Sequence, residues 1–96
     1  MPSYLIMGQF TDQGIKNVKE TITRGERFKE MAKECGVEIK QLMWLMGDHD
    51  VFCIGEAKND AAVATLLLKS GSKGFVKTTS HRAFNKDEMS KIVSNL

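Results

Sequence analysis

The chain has 96 residues and is predicted to form one domain over 1–96, with a core limited to roughly 60–70% of the surface that the unfolded chain exposes. Its 14 basic and 12 acidic residues are scattered and leave a formal net charge of +2, which argues against a nucleic-acid or membrane partner. No apolar run approaches the roughly 20 residues of a membrane helix, and strand-like residues begin at Tyr4, so no signal peptide is predicted. Cys35 and Cys53 lack Cys-x-x-Cys spacing and are predicted to be buried reduced thiols, which favours a cytoplasmic location.

The first half of the chain predicts a strand and then a helix. Residues 3–10 are short and apolar, as in a strand. Thr23 and Glu26 have the spacing of a capping box, and apolar residues follow at helical intervals, so a helix is predicted over 23–35. Gly36 stands where a helix C-terminal glycine belongs.

A tight hairpin is predicted in the middle of the chain, because Gly47-Asp48-His49-Asp50 separates two apolar runs. The apolar residues of the helix that follows lie nearly all round it, so this helix is expected to be well buried. The remaining predicted elements are strands at 37–46 and 51–57, a helix capped by Asn59 or Asp60 and ended by Gly71, a strand at 75–83, and a short last helix capped at Asn85.

This order of elements predicts an α+β fold of ferredoxin-like βαββαβ type. Right-handed crossovers and one hairpin give a four-stranded antiparallel sheet ordered 4-1-3-2, with two helices on one face and a short C-terminal helix. Two helices cover only one face of such a sheet, yet its central strands are apolar on both faces. The open face is expected to carry at least some of Tyr4, Ile6, Met7, Phe52 and Ile54. The chain is therefore predicted to form a homodimer, sheet against sheet.

An ordered set of short motifs resembles the GYD domain family over nearly the whole chain. The matching pieces are Gly8 to Thr11 with Gln13-Gly14, Arg24, Trp44 to Gly47, Asp50-Val51, Glu56-Ala57, Asn59 to Ala62, and Gly71 to Gly74 through Arg82 to Phe84. His49 stands where the family signature has tyrosine, which puts in doubt any role that needs a phenol. The resemblance implies a dimeric α/β barrel, in which two sheets enclose a cavity, and no established activity.

The predicted topology brings several polar side chains to one end of the sheet. These are Thr11, Gln13, Arg24, Asp48, His49 and Asp50, whereas His81 lies at the other end. Asp48 and His49 are predicted to supply turn conformations, and Asp50 is predicted to accept backbone amides. Three consecutive residues cannot all face one ion, so no metal site and no cofactor are predicted, although a His–Asp pair acting on a small ligand stays open.

Three further side chains are candidates for ligand contact or for packing. With a two-residue hairpin loop, Glu56 would lie opposite Gln41, either as a hydrogen-bonded pair or as a polar patch in a cavity between subunits. Trp44 would lie opposite Cys53 and lean across Gly55, as packing or as a platform for a ligand. Arg24 would pair with Asp12, Asp48 or Asp50, or bind an anion.

Three functions remain open at the level of the sequence. The leading hypothesis is a homodimeric binding module that holds a small, partly apolar ligand, or none, between its subunits. One alternative is a cofactor-free monooxygenase or isomerase in which His49 or His81 moves a proton. The other is a structural subunit of a larger assembly. A histidine or Glu56 in the wall of a closed pocket would favour the enzyme.

Overall fold

A computed structural model describes all residues, 1–96. A 3-10 turn at Val18–Glu20 lies between the first two helices. The remaining elements are, in chain order, β1 (Ser3–Phe10), α1 (Asp12–Lys16), α2 (Thr21–Glu34), β2 (Val37–Trp44), β3 (Val51–Ala57), α3 (Asp60–Ser72), β4 (Val76–Ala83) and α4 (Lys86–Val93).

The four strands form one antiparallel sheet in the order β2-β3-β1-β4. This is the predicted order 4-1-3-2 read from the opposite edge. The two long helices, α2 and α3, cover one face, and β1 and β3 occupy the centre. The ferredoxin-like arrangement expected from the sequence is therefore present.

Alternation along the strands separates a covered face from an open one. The buried core lies on the covered face and consists of Tyr4, Ile6, Ala32, Val37, Cys53, Ala57, Val63 and Leu66. Tyr4 and Ile6 therefore do not lie on the open face, where the sequence had placed them as candidates. The phenol of Tyr4 donates a 2.5 Å hydrogen bond to Asp60 at the start of α3, and this bond raises the pKa of Tyr4.

Helices α2, α3 and α4 begin and end close to their predicted positions, whereas α1 was not predicted. Helix α2 begins at Thr21, two residues early, and no side chain caps it, so the predicted capping box at Thr23 is wrong. Gly36 has φ +80° and follows α2, as predicted. The expectation that α3 is buried all round is also wrong, because only Val63 and Leu66 are buried, whereas Leu68 is 76% exposed. The caps of the last two helices, Asn59 and Asn85, are confirmed.

The hairpin between β2 and β3 is longer than predicted. The amide of Leu45 donates to the carbonyl of Asp50, and the intervening four residues form the loop, with Gly47 at φ +123°. Trp44 therefore pairs with Val51 rather than with Cys53. A register shift around Lys40 adds a bulge to β2.

Helix α4 lies at the end of β4. Arg82 on β4 donates to the carboxylate of Glu88 on α4 at 2.9 Å and lies over the ring of Phe84 at 4.6 Å. The exposed apolar side chains of α4 and the residues after it include Met89, Ile92, Val93 and Leu96. The chain is elongated and thin as a result, with extents of 48 × 30 × 18 Å.

None of the four helices has the length and apolar character that a crossing of the lipid bilayer requires. Both cysteines are unpaired: Cys53 is buried in the core, and Cys35 is half-buried beside it. Burial alone raises the pKa of Cys53 to about 12, so its thiol stays protonated at neutral pH.

Candidate functional site

The hairpin and the end of β1 are joined by hydrogen bonds through Asp50. Its carboxylate accepts from the amide of Phe10 at 2.8 Å, and its own amide donates to the carbonyl of Gly8 at 2.9 Å. The side chain of Gln9 donates to the carbonyl of Asp48 at 2.7 Å. Asp50 therefore accepts a backbone amide, which comes from Phe10 at the end of β1.

His49 is half-buried beside these bonds and makes no hydrogen bond to either neighbouring aspartate. The chain also contains no group of three His, Cys, Asp or Glu side chains that could hold a metal ion. The structure therefore gives no geometric support to a His–Asp pair at the hairpin.

Thr11 and Gln13 join β1 to the loop that precedes β4. The hydroxyl of Thr11 donates to the carbonyl of Gly74 at 2.6 Å and accepts from the amide of Gly14 at 3.0 Å, so it caps α1. Gln13 is exposed, and its side-chain oxygen lies against Gly74. These contacts place the residues after β1 and the loop before β4 at the same end of the sheet.

Arg24 forms no ion pair with Asp12, Asp48 or Asp50, so that prediction is wrong. Its guanidinium donates to the carbonyl of Asn17 at 2.9 Å and lies 4.5 Å from the centre of the Phe75 ring. Its one ion pair is with Glu20, four residues earlier, and the 3.7 Å between Arg24 Nη1 and Glu20 Oε2 is long for such a contact. The side chain is only 16% exposed, so a largely buried cation has a weak counter-charge.

Trp44 packs against α2 and not across Gly55. The indole nitrogen donates to the hydroxyl of Thr21 at 3.0 Å. The ring lies over Gly25, where a Cβ atom would stand 3.5 Å from it. The predicted contact with Gly55 is wrong because the longer hairpin loop moves Trp44 along the sheet, and the side chains of Val37 and Ile39 lie at Gly55 instead.

Glu56 and His81 lie on the open face of the sheet, away from the hairpin. Glu56 pairs with Ser3 and, on the other side, with Glu38 rather than Gln41. Lys40 donates to Glu38 at 3.1 Å, and this hydrogen bond, with the charges of Glu38 and Glu56, raises the pKa of Lys40. His81 is exposed on β4 opposite Leu5, so it is far from His49, as predicted.

The open face itself carries an apolar centre with polar edges. Strand register places Leu5 opposite Ile54 and Met7 opposite Phe52, and Phe52 is also opposite Met43 on β2. Thr79, Lys77 and His81 of β4 form one edge. Three of the predicted side chains, Met7, Phe52 and Ile54, therefore lie on the open face, where each is half-buried.

A cavity of about 290 Å³ lies between α2, the end of α3 and the covered face of the sheet. Its wall is mainly apolar and includes Ile6, Phe10, Phe28, Met31, Leu42 and Trp44. Three basic side chains, Arg24, Arg27 and Lys73, also line it. Arg27 and Lys73 are exposed, so they stand on the solvent side.

No Asp, Glu or His side chain lines this cavity. The thiol that does, Cys53, is protonated at neutral pH because burial raises its pKa to about 12. The cavity therefore offers cations and apolar surface, and it offers no group placed to abstract a proton.

The sequence predicted two residues of this wall, Arg24 and Trp44, and missed the cavity itself. It placed a cavity between subunits, on the other face. One signal was available: Gly25 stands inside a helical pattern, where a glycine usually marks a close approach. Arg27 and Lys73 gave no signal, because exposed basic residues are common.

A four-stranded antiparallel sheet, two helices on one face and an apolar cavity beneath α2 define a small ferredoxin-like α+β domain. The sequence of residues 4–93 matches the GYD domain family. The chain therefore belongs to that family.

A relative in Thermus thermophilus is 30% identical over 82 residues, which cover 81% of this chain and 83% of the relative. That protein is named as a glutamine synthetase and cystathionine beta-lyase binding protein.

Solved structures show the same fold at low sequence identity. The crystal structure of MtbAldR has a TM-score of 0.68 at 10% identity and matches 88% of this chain and 52% of its own. LrpC of B. subtilis has a TM-score of 0.60 at 14% identity over 88% of this chain and 51% of its own. The chain thus spans about half the length of these two proteins. The C-terminal domain of MgtC from Mycobacterium tuberculosis has a TM-score of 0.54 at 10% identity, over 85% of this chain and 86% of its own.

Proposed function

We propose that this protein is a non-catalytic, homodimeric binding module whose partner is another protein. The observation that carries the proposal is the open face of the sheet, which is apolar at its centre and has no covering element. A second copy of the chain is the occupant that this face fits best.

The apolar residues of the open face form a continuous strip across three strands. Leu5, Met7, Phe52 and Ile54 are the central four, and Met43 extends the strip onto β2. Two sheets that pack face to face bury such strips about 10 Å apart, at an aligned or an orthogonal crossing angle. Pairing two copies would remove this surface from water without exposing any other part of the core.

Charge on the open face is also compatible with two-fold pairing. Glu56 lies at one end of the face and Lys77 at the other, and neither forms an ion pair within the chain. A two-fold axis that runs obliquely across the strands, so that β3 of one sheet lies over β4 of its partner, would bring Glu56 over the partner's Lys77. Opposite charges would then face each other at both ends of the interface.

The closed pair would be a dimeric α/β barrel, as the family resemblance implies. A cavity between the subunits remains part of this proposal, with Glu56 and His81 on its rim. The two unpaired cysteines fit a reducing compartment such as the cytoplasm.

The proposal of a protein partner comes from the Thermus thermophilus relative, which is named for binding two enzymes. With 30% identity over most of both chains, the mode of action is the property most reasonably carried over, and the identity of the partner is open to test. We expect this chain to bind an enzyme of its own organism, with glutamine synthetase as the first candidate.

An enzyme of the monooxygenase or isomerase kind would have to use the proposed cavity between the subunits, because the cavity beneath α2 gives it no support. His49 and His81 are both absent from the wall of the cavity beneath α2, and no other acid–base group replaces them. Trp44 lines that cavity, but an indole alone moves no proton.

The test of the dimer is sedimentation equilibrium at micromolar concentration. The wild-type chain is expected at twice its 10.7 kDa mass, and Met7→Lys, which places a charge at the centre of the strip, is expected at 10.7 kDa. Ala64→Lys, on the exposed side of α3, is the matched control and should sediment like the wild type. A wild-type chain that stays at 10.7 kDa would contradict the dimer.

The test of the partner uses purified glutamine synthetase from the same organism as this chain. Co-sedimentation with the wild-type chain is the expected result. Failure of the wild-type chain to bind at tens of micromolar, with the dimer intact, would remove the enzyme partner and leave the dimer standing.

A further inference from the structure

We propose that the cavity beneath α2 binds a small amphipathic anion, a carboxylate whose apolar body lies against the sheet and whose charged group lies among Arg24, Arg27 and Lys73. This site is separate from the open face of the sheet. It is complete within one chain, so it does not depend on the dimer or on a protein partner.

The size of the cavity fits a small molecule. Its volume of about 290 Å³ is at the lower end of the roughly 300–1,000 Å³ that ligand pockets occupy. It corresponds to the space of about ten water molecules in the liquid. A carboxylate with a medium-length aliphatic chain or one to two aromatic rings is the class of that size.

The apolar wall favours a ligand whose larger part is apolar. Ile6 and Leu42 come from the sheet, and Phe28 and Met31 from α2. Gly25 also lines the cavity, and a side chain longer than the methyl group of alanine there would compete with Trp44 and Leu42 for space. Water in such a wall has few hydrogen-bond partners, so its displacement by apolar groups is favourable.

The charge of the lining determines the sign of the ligand. All three ionised groups of the lining are basic, because Arg24, Arg27 and Lys73 are accompanied by no carboxylate. Arg27 and Lys73 form no ion pair anywhere in the chain, and Arg24 has only the 3.7 Å contact to Glu20. Arg27 and Lys73 also line an adjacent groove that carries Glu30, Glu34 and Lys69, but neither glutamate forms an ion pair with Arg27 or Lys73. No carboxylate of the chain is therefore in contact with these two basic side chains.

Arg24 is held in place by contacts within the chain. Its guanidinium is stacked on Phe75 and fixed by the carbonyl of Asn17, so little side-chain entropy would be lost on binding. Arg27 and Lys73 are exposed, so they would meet the charged group from the solvent side.

The experiment compares decanoate with 1-decanol, two probes of the same chain length that differ in charge. Both are titrated calorimetrically into the full-length wild-type protein, with displacement of the fluorescent sulfonate 1-anilinonaphthalene-8-sulfonate as a second readout. One decanoate per chain is expected, bound at least tenfold more tightly than decanol. The advantage of decanoate should shrink as salt is raised.

Two variants locate the site. Arg27→Gln with Lys73→Gln changes only exposed side chains and is expected to weaken decanoate about tenfold while leaving decanol unchanged. Gly25→Leu fills the cavity and is expected to abolish both. Gly25→Ala is its control, since a Cβ there meets Trp44 and Leu42 at ordinary contact distances of 3.5–3.6 Å.

Three results would overturn the proposal: no binding of decanoate at millimolar concentration, equal binding of decanoate and decanol, or unchanged decanoate binding in the charge variant. The charge variant tests the site even if Gly25→Leu does not fold. Met7→Lys separates this proposal from the dimer, because it is expected to lose the dimer and to keep decanoate binding.

Discussion

Gly14 is the glycine at which an added side chain would meet the closest contact. It is buried in α1, and a Cβ atom there would stand 2.0 Å from the carbonyl oxygen of Phe75. That oxygen accepts the amide of Thr11, so it belongs to the bond that holds the end of β1 to the start of β4. The clash is with backbone, so no side chain can turn away to relieve it.

We expect Gly14→Ala to lower the free energy of unfolding by about 3 kcal/mol, because the loops must separate to admit the methyl group. Gly71→Ala is the matched control, since nothing lies within 4 Å of a Cβ there and the residue is in α3. It should raise stability by about 0.5–1 kcal/mol through helix propensity. Urea denaturation measures both. Equal effects of the two substitutions would show that the close contact at Gly14 is relieved at no cost.

For single residues, the sequence predicted whether a side chain accepts or donates a hydrogen bond better than it predicted which group that side chain meets. A carboxylate such as Asp50 beside a turn has few options other than nearby amides, so its role followed from its type. Arg24 has a long side chain that reaches several groups, and spacing along the chain does not say which one it meets. Its contacts with Asn17 and Phe75 depend on the path of α1 and the loop before β4, which no local pattern encodes.

Among the elements, α4 is held to the sheet by a pH-sensitive contact. Glu88 accepts from the amide of Asn85 at 3.0 Å and from Arg82 at 2.9 Å, and these bonds hold the pKa of Glu88 below its ordinary 4.5. A carboxylate whose pKa is depressed in the folded state stabilises that state above its unfolded pKa. The stabilisation is lost as the pH falls through the folded pKa.

We therefore expect Glu88→Gln to loosen α4 at pH 7 and to have little effect near pH 3. The measurement is amide hydrogen exchange at Met89, whose amide donates to the carbonyl of Asn85 in the first turn of α4. Protection relative to the wild type should be lower at pH 7, and the difference should close below about pH 4.5. A difference that is the same at both pH values would mean that the ionised carboxylate contributes nothing.

The element boundaries were largely predictable, whereas the register of the hairpin was not. Helical and strand periods and the caps at Asn59 and Asn85 are local signals, so the sequence located those elements within a few residues. The pairing of Glu56 and of Trp44 required the length of the loop and the position of a bulge. Residues 45–50 are compatible with loops of two or four residues, and nothing near Lys40 announces the bulge, so both pairings were predicted wrongly.

At the scale of the whole molecule, the sequence predicted which face of the sheet the helices cover, but it did not predict the cavity beneath α2. The order of strands and the helix-covered face followed from connection rules and alternation. The cavity beneath α2 did not, because its volume depends on how far α2 stands from the sheet. That distance reflects the packing of Trp44 against Gly25, a contact between residues that are far apart in the sequence.

A dimer that forms through the open face should also be visible in stability. We expect the urea midpoint to rise with protein concentration, because association stabilises only the folded chain. Each tenfold increase in concentration should add about 1.4 kcal/mol to the unfolding free energy of the dimer. Met7→Lys is expected to show a midpoint that is independent of concentration. A wild-type urea midpoint that does not change with protein concentration would mean that the chain folds as a monomer.

The bulge in β2 also helps to protect this protein from aggregation through its edge strand. An outer strand offers a row of free amides and carbonyls onto which a foreign strand can add, and a run of such additions leads to fibrils. The extra residue at Lys40 breaks the regular spacing of that row and puts a lysine beside the break. Growth of a continuous ribbon from this edge strand is thereby discouraged, which leaves the apolar open face as the surface through which the proposed pair of chains would form.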